Sequence, residues 1–300
     1  MVFVTGGTGF IGSHFLRILK EAGRDAKCLV RSPAKGGICT SKGFATATGN
    51  IIERDSIKGD LNGVDTVVHL VGIIEERGRQ TFHKVHFQGT VNLVEEASLA
   101  GVKRFVYVSV LGADPDSRFA YYRTKAQAEE TVKASGIPYT IFRPSLVIGP
   151  GGGFVGKLLD LMNAPGPFLP VPGDGGAKLQ PIYVEDLARC ILSAMDSPQA
   201  AGRTYEVGGP EQLSYNELLV ILADVMGRKK SLLHIPMGLM MPAVKVLEKT
   251  GLSPVTSDQL GLLSRDNTCA PDAVRKEFGF EPVAYRRAIE LSTLRREPGR

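Results

Sequence analysis

The apolar run MVFV is followed without a spacer by TGGTGFIG, Thr5–Gly12, and then by a helical pattern from about Ile11. A strand that ends in a glycine-rich turn and continues as a helix admits few folds. Gly6, Gly9 and Gly12 have separate tasks in such a turn: one permits the tight bend, one lets backbone approach a ligand, and one lets the helix pack close to the sheet. The free N–H groups of the first helical turn, around Phe10 and Ile11, then face an anion. A dinucleotide pyrophosphate is the expected one.

The same strand–helix unit recurs along the first half of the chain. Strands are expected at Val2–Thr5, Ala26–Val30, Phe44–Thr48, Thr66–Leu70, Arg104–Ser109 and Tyr139–Phe142, with helices near Ile11–Glu21, Phe82–Ala100 and Tyr121–Ala134. Alternating short apolar runs and amphipathic helices predict a doubly wound parallel α/β sheet. After Pro144 the texture changes. GPGGGF and NAPGPFLPVPGDGG are dense in glycine and proline, which predicts loops rather than buried strands. Further helices are expected after Tyr183 and at Ser214–Met226, Pro236–Glu248, Ser257–Leu263 and Pro271–Phe278, with a strand at Thr204–Val207. The expected organisation is a dinucleotide-binding core over 1–145, with a strand and helix near 180–208 returning to it. A smaller, mostly helical C-terminal lobe would take 146–179 and 209–300.

Composition narrows the class. The chain has 300 residues, 43% hydrophobic and 22% charged, enough apolar material for a core without staples. The net charge of +5 suits anionic ligands or acidic membrane surfaces. Its basic residues are scattered except at Arg228–Lys230 and Arg295–Arg296, so no nucleic-acid partner is expected. Four cysteines lie far apart, without metal-ligand spacing, and read as free thiols; no metal site is expected. The first strand begins at Met1 or Val2, and no apolar run reaches the roughly 18 residues of a spanning helix. A cytoplasmic protein, free or peripheral to a membrane, is the expectation.

The end of the second strand distinguishes cofactors. A carboxylate there would bind the adenosine ribose hydroxyls, whereas arginine accommodates a 2′-phosphate. The sequence reads CLVRSPAK, with Arg31 at that place and Ser32 and Lys35 nearby. NADP(H) is therefore favoured over NAD(H).

TGGTGFIG, Gly49–Asn50, GVDTVVHLVG at Gly63–Gly72, GVKRFVYVS at Gly101–Ser109, YYRTK at Tyr121–Lys125 and FRPS at Phe142–Ser145 together resemble the short-chain dehydrogenase/reductase superfamily. LQPIYVEDLA and GRTYEVGGPE resemble its extended and atypical branches. VLGADPDS followed by AYYRTKAQAEE is similar to the subgroup that contains the accessory Rossmann-fold subunit of respiratory complex I and its bacterial relatives. The resemblance places the loop Gly6–Gly12, Thr8 included, on the pyrophosphate and Arg31 by the 2′-phosphate. It puts Asn50 and Ile51 beside the adenine, Val71 and Gly72 near the nicotinamide ribose, and Pro144 against the nicotinamide.

Tyr121 and Lys125 stand four apart and so share one helix face. In an active reductase of the superfamily this tyrosine protonates the carbonyl oxygen, while the lysine holds the nicotinamide ribose and lowers the tyrosine pKa. The resemblance also implies a hydroxyl residue just beyond the fifth strand, and there the chain has Val110, with Ser109 one residue early. Ser109 can replace it only if the strand end bulges, because successive side chains alternate faces. Loss of such a donor costs on the order of 100- to 1000-fold. His86, in VHFQGT, occupies a place often held by asparagine, which further weakens the catalytic reading. His69 is expected to be a satisfied buried residue.

Leu232–Leu252 is the most apolar stretch of the second half, broken by Pro236 and Pro242. It is expected either to cover a substrate cleft or to present an amphipathic surface to lipid, quinone or a membrane-bound partner. Two functions lead: an NADP(H)-dependent oxidoreductase on an apolar carbonyl or quinone-like substrate, and a non-catalytic NADP(H)-binding accessory protein of a membrane-associated respiratory assembly. A nucleotide-ratio sensor and a nucleotide-sugar epimerase are weaker alternatives.

Overall fold

In the computed structural model, which describes residues 1–249 and 255–294, the expected strands form one sheet. They are β1 (Val2–Thr5), β2 (Ala26–Val30), β3 (Ala45–Thr48), β4 (Thr66–His69), β5 (Arg104–Val108) and β6 (Tyr139–Pro144). With Arg203–Val207 they give a seven-stranded sheet in the order Arg203–Val207, β6, β5, β4, β1, β2, β3. The pairs from β6 to β3 are all parallel, with Val2 opposite both Ala26 and Thr66. Every residue of β1 and β4 is buried, as a sheet covered on both faces requires. The order reverses at β1, which opens a crevice beyond the carboxyl ends of β1 and β4.

The helices between these strands are α1 (Phe10–Glu21), α2 (Gly37–Thr40), α3 (Gly89–Leu99) and α4 (Ala120–Ala134). One face of α1 buries Phe15, Leu16, Ile18 and Leu19, and α1 packs against the helix Val184–Asp196. Beneath α3 and α4, Leu93, Ala128 and Val132 meet Phe105, Tyr107 and Ile141 of the sheet. The expected continuous helix Phe82–Ala100 is broken differently: a π-helical turn, His83–Gln88, precedes α3. Cys28 and Cys39, eleven apart in sequence, are buried neighbours with free thiols, which spacing alone does not reveal.

The chain divides into two compact units, residues 1–144 with 184–206 and residues 145–183 with 207–300. In the second unit the glycine- and proline-rich region is not only loop. It contains the helix Gly153–Asn163, with Val155, Leu158, Leu159 and Met162 buried, and the strand Phe168–Pro172. That strand pairs in parallel with Ser231–Ile235, so the apolar stretch Leu232–Leu252 begins as a strand ahead of the helix expected from Pro236. Two-stranded pairing tolerates Pro170 and Pro172 because a strand edge needs fewer N–H donors. The helix Met237–Lys249 follows, with Leu239, Val246 and Leu247 exposed and Val244 buried. The end of the Leu232–Leu252 stretch, and Arg295–Arg296, lie outside the described residues. A last helix, Tyr285–Leu294, carries no expectation from the sequence. Among the described residues no helix is long and apolar enough to cross a membrane.

Candidate functional site

The crevice at the strand ends is a groove lined by Gly6, Thr8 and Gly9 after β1 and by Arg31 and Lys35 after β2. Asn50 and Ile51 after β3 and Val71 and Gly72 after β4 also line it, whereas Phe10, Ile11, Gly12, Tyr121, Lys125 and Pro144 of the expected set are not among its lining residues. Its floor is glycine for steric reasons. Gly6 has φ +77°, and a Cβ added there would lie 2.9 Å from the Leu70 carbonyl carbon and the Val71 nitrogen. A Cβ at Gly12 would lie 2.1 Å from the Gly6 carbonyl oxygen. The first turn of α1 has Gly9 as its N-cap with no capping side chain and no acidic residue. Phe10 and Ile11 thus present N–H groups that an anion can satisfy. A glycine cradle under an uncapped helix end, with two cations at the far lip, fits a phosphorylated dinucleotide.

Asn50 shapes its own turn. Its Oδ1 accepts from Ile52 N–H at 3.4 Å, and its N–H donates to Ser56 Oγ at 2.8 Å. Ile51 is buried in the core, and its carbonyl accepts from Asn92 Nδ2 at 2.7 Å. Leu29, Ile52, Leu70, Ile73, Gln80 and Val85 also line the groove. The first four continue or flank the strand ends that form the crevice, whereas Gln80 and Val85 arrive by a chain return with no local signal.

Tyr121 lies in the first turn of α4, and its ring meets Phe82 at 5.7 Å and His86 at 5.5 Å, both edge-on. Lys125, one turn later, is buried and donates from Nζ to the Val108 carbonyl at 2.9 Å. It approaches the groove at Gly72, where an added Cβ would lie 3.4 Å from the Lys125 Nζ. Burial pulls the lysine down to about 7 against the opposing pull of Glu129. The expected lowering of the tyrosine does not occur. Burial, and then Tyr122, hold the Tyr121 phenol above its ordinary value, because loss of water disfavours the phenolate.

Ser109 is corrected as a candidate catalytic hydroxyl. Ser109 N–H donates to the Phe142 carbonyl at 2.7 Å and Leu111 N–H to the Pro144 carbonyl at 2.9 Å, so regular pairing with β6 runs past the strand end without a bulge. Ser109 and Val110 therefore face opposite sides. The Ser109 hydroxyl donates to Glu129 Oε1 at 2.5 Å. Pro144, buried at the end of β6, is held through that same carbonyl.

His86 is not a simple loss of asparagine. Its Nε2 lies 3.0 Å from the Ile73 N–H nitrogen and 3.1 Å from the Ile73 carbonyl oxygen, and its Nδ1 lies 3.1 Å from Thr124 Oγ1. The threonine proton goes on to the Ala120 carbonyl at 2.8 Å. This chain ties the segment after β4 to the helix carrying Tyr121 and Lys125. It uses a neutral imidazole, and burial followed by the Lys125 charge lowers His86 to about 2. His69 is buried and satisfied as expected, with Thr5 Oγ1 2.6 Å from Nδ1 and Thr90 Oγ1 3.1 Å from Nε2.

Comparison with known proteins agrees with this geometry. Residues 2–208 match the NAD dependent epimerase/dehydratase family. The chain is 32% identical over 231 residues to an NAD(P)H azoreductase of Xenophilus azovorans, covering 76% of this chain and 74% of that protein. It is 31% identical over 234 residues to the mitochondrial NADH dehydrogenase [ubiquinone] 1 alpha subcomplex subunit 9 of Arabidopsis thaliana, covering 74% of this chain but only 57% of that subunit. The Escherichia coli NADPH-dependent quinone oxidoreductase QOR2, solved with NADPH, superposes with a TM-score of 0.78 over 96% of this chain and 98% of its own; at 18% identity that likeness concerns the fold.

Proposed function

Because this chain belongs to the NAD dependent epimerase/dehydratase family, we propose that it is an NADP(H)-dependent oxidoreductase acting on an apolar carbonyl or quinone-like substrate. The observation that carries this reading is the approach of Lys125 to the groove at Gly72, with Tyr121 one turn before it on α4. Gly6–Gly12 and the first turn of α1 would hold the pyrophosphate, and Arg31 with Lys35 the 2′-phosphate. The nicotinamide, when bound, supplies a hydride, so reduction of a carbonyl also requires one proton.

In this reading Tyr121 gives that proton. Its raised phenol stays protonated through the neutral range, so it serves as a donor without prior ionisation. The rings of Phe82 and His86 fix its direction. Lys125 positions the ribose side of the cofactor from beneath Gly72. No hydroxyl at 110 assists at the substrate oxygen, so turnover is expected to be slower than in a chain with serine there, by on the order of 100-fold or more.

The cofactor preference rests on Arg31, which is exposed at the lip of the groove. Charge-assisted bonds to a phosphate contribute enough that Arg31→Ala should weaken NADPH binding about 10- to 100-fold while leaving NADH binding nearly unchanged. Titration calorimetry with both nucleotides checks this, and equal affinities in the parent chain would remove the preference.

A second reading is favoured by Val110 and by the resemblance to a respiratory-complex subunit. In it the protein binds NADP(H), turns over little, and docks on a membrane-associated assembly through apolar surface such as Leu239, Val246 and Leu247. A bound nucleotide stabilises the folded state whether or not it reacts. Affinity capture from detergent-solubilised membranes tests this; recovery of the chain free of any partner would count against it.

A further inference from the structure

The carboxylate of Glu129 is fully buried one helical turn beyond Lys125 and lies outside the lining of the cofactor groove. Lys125 and Glu129 are i and i+4 on α4 and share a face. They meet consecutive residues at the end of β5. Lys125 Nζ donates to the Val108 carbonyl at 2.9 Å, and Ser109 Oγ donates to Glu129 Oε1 at 2.5 Å. Two rungs thus join the helix to the strand, one cationic and one anionic.

From β6, Arg143 closes on Glu129 with a fork, Nε to Oε1 at 2.9 Å and Nη2 to Oε2 at 2.7 Å. Burying a carboxylate costs several kcal/mol unless it is paired, and the guanidinium is the pairing group here. The pair is held by three elements, so Glu129 cannot swing away from the lysine.

We infer that Glu129, fixed by Ser109 and Arg143 one helical turn beyond Lys125 on the same face of α4, is a positioning residue that acts on Lys125 through its charge. This rests on the reading of Lys125 as the partner of Tyr121.

The surroundings leave Glu129 as the anionic neighbour. β4 presents His69 and the π-helical turn presents His86, and burial before all else keeps both neutral, at about 3 and about 2. β5 presents the Tyr107 ring, 4.9 Å from Lys125 Nζ, with its phenol raised by burial first. On α4 itself Tyr121 is likewise raised by burial. Glu95 and Glu96 of α3 are paired with Arg54. β6 contributes Arg143, and Lys133 stands 3.9 Å from Glu129 Oε2. Glu129 raises Lys125 against the larger effect of burial, leaving it at about 7. Without that carboxylate, burial and the cations left at Arg143 and Lys133 all favour the neutral amine, and the lysine gives up its proton more readily.

The test is an NMR titration of the Lys125 Cε–Hε resonance in the full chain, assigned by its disappearance in Lys125→Arg. The parent midpoint is expected near 7. Glu129→Gln keeps an acceptor for Ser109 and removes the charge. Its midpoint should fall by about one pH unit or more, the size expected for loss of a close opposite charge. Ser109→Ala, which leaves the charge, should shift it far less. If Glu129→Gln fails to fold because Arg143 is left unpaired, Glu129→Gln with Arg143→Met removes both charges and, because a repelling cation goes too, should show a smaller fall. An unchanged midpoint in whichever variant folds overturns the inference. The titration needs no turnover, so a shifted midpoint in a protein that oxidises no NADPH sustains this inference while the oxidoreductase reading falls. Where turnover is measurable, the pH profile of kcat should move with the midpoint.

Discussion

Tyr121→Phe is expected to lower kcat for NADPH-dependent reduction about 100- to 10,000-fold, the usual contribution of a positioned general acid. NADPH affinity should remain nearly unchanged, because the substitution removes one oxygen and leaves the ring contacts with Phe82 and His86 in place. The pair of measurements matters more than either alone. A fall in kcat with intact cofactor binding assigns the phenol to the chemical step. A parallel loss of affinity would assign it to cofactor binding instead. Because the phenol is raised rather than lowered, no loss of activity from Tyr121 ionisation is expected between about pH 6 and pH 9, the region below its ordinary value. Any inflection near neutrality belongs to Lys125, and it should vanish in Lys125→Met along with most of the activity.

Gly12→Ala is the substitution with the largest expected effect on the fold. The new Cβ would lie 2.1 Å from the Gly6 carbonyl oxygen and 2.6 Å from the Gly7 Cα, and both are backbone atoms that cannot turn aside. Either α1 lifts from the sheet or the loop opens, and both distort the anion cradle. Overpacking of this kind costs about 1–3 kcal/mol or more. A clear drop in melting temperature with loss of measurable NADPH binding is therefore expected. Gly37→Ala is the control: it has ordinary negative φ and open space around the position. It should leave melting and binding close to those of the parent chain. A stable Gly12→Ala protein that still binds NADPH would show that helix–loop proximity does not shape the site.

The parts of the architecture that depend on neighbours in sequence are legible from the chain itself. Six strands and the helices α1, α3 and α4 follow from alternation of short apolar runs with helical patterns, whereas α2 carries no such signal and the absence of a bulge at Ser109 follows only from the pairing with β6. The glycine loop is equally local, since Gly6, Gly9 and Gly12 act within one turn. The features that escape such reading depend on distant chain segments. Glu129 reads as one more charge on a surface helix until β5 and β6 bring Ser109 and Arg143 to it. His86 reads as a departure from a motif until Ile73 and Thr124 close on its two nitrogens. The direction of the Tyr121 shift is misleading in the sequence because a lysine four residues away suggests an electrostatic effect, whereas burial outweighs it. In the second unit, prolines conceal Phe168–Pro172, whose partner strand begins sixty-three residues later at Ser231.

Whether Tyr121 and Lys125 make the bound dinucleotide reactive toward an apolar acceptor is tested most directly by anaerobic stopped-flow. The NADPH-loaded protein is mixed with a panel of quinones and apolar carbonyls and followed at the reduced-nicotinamide absorbance. A saturable decay with at least one acceptor, strongly slowed in Tyr121→Phe, is the expected result. Tightly bound NADPH that stays reduced across the panel would contradict it.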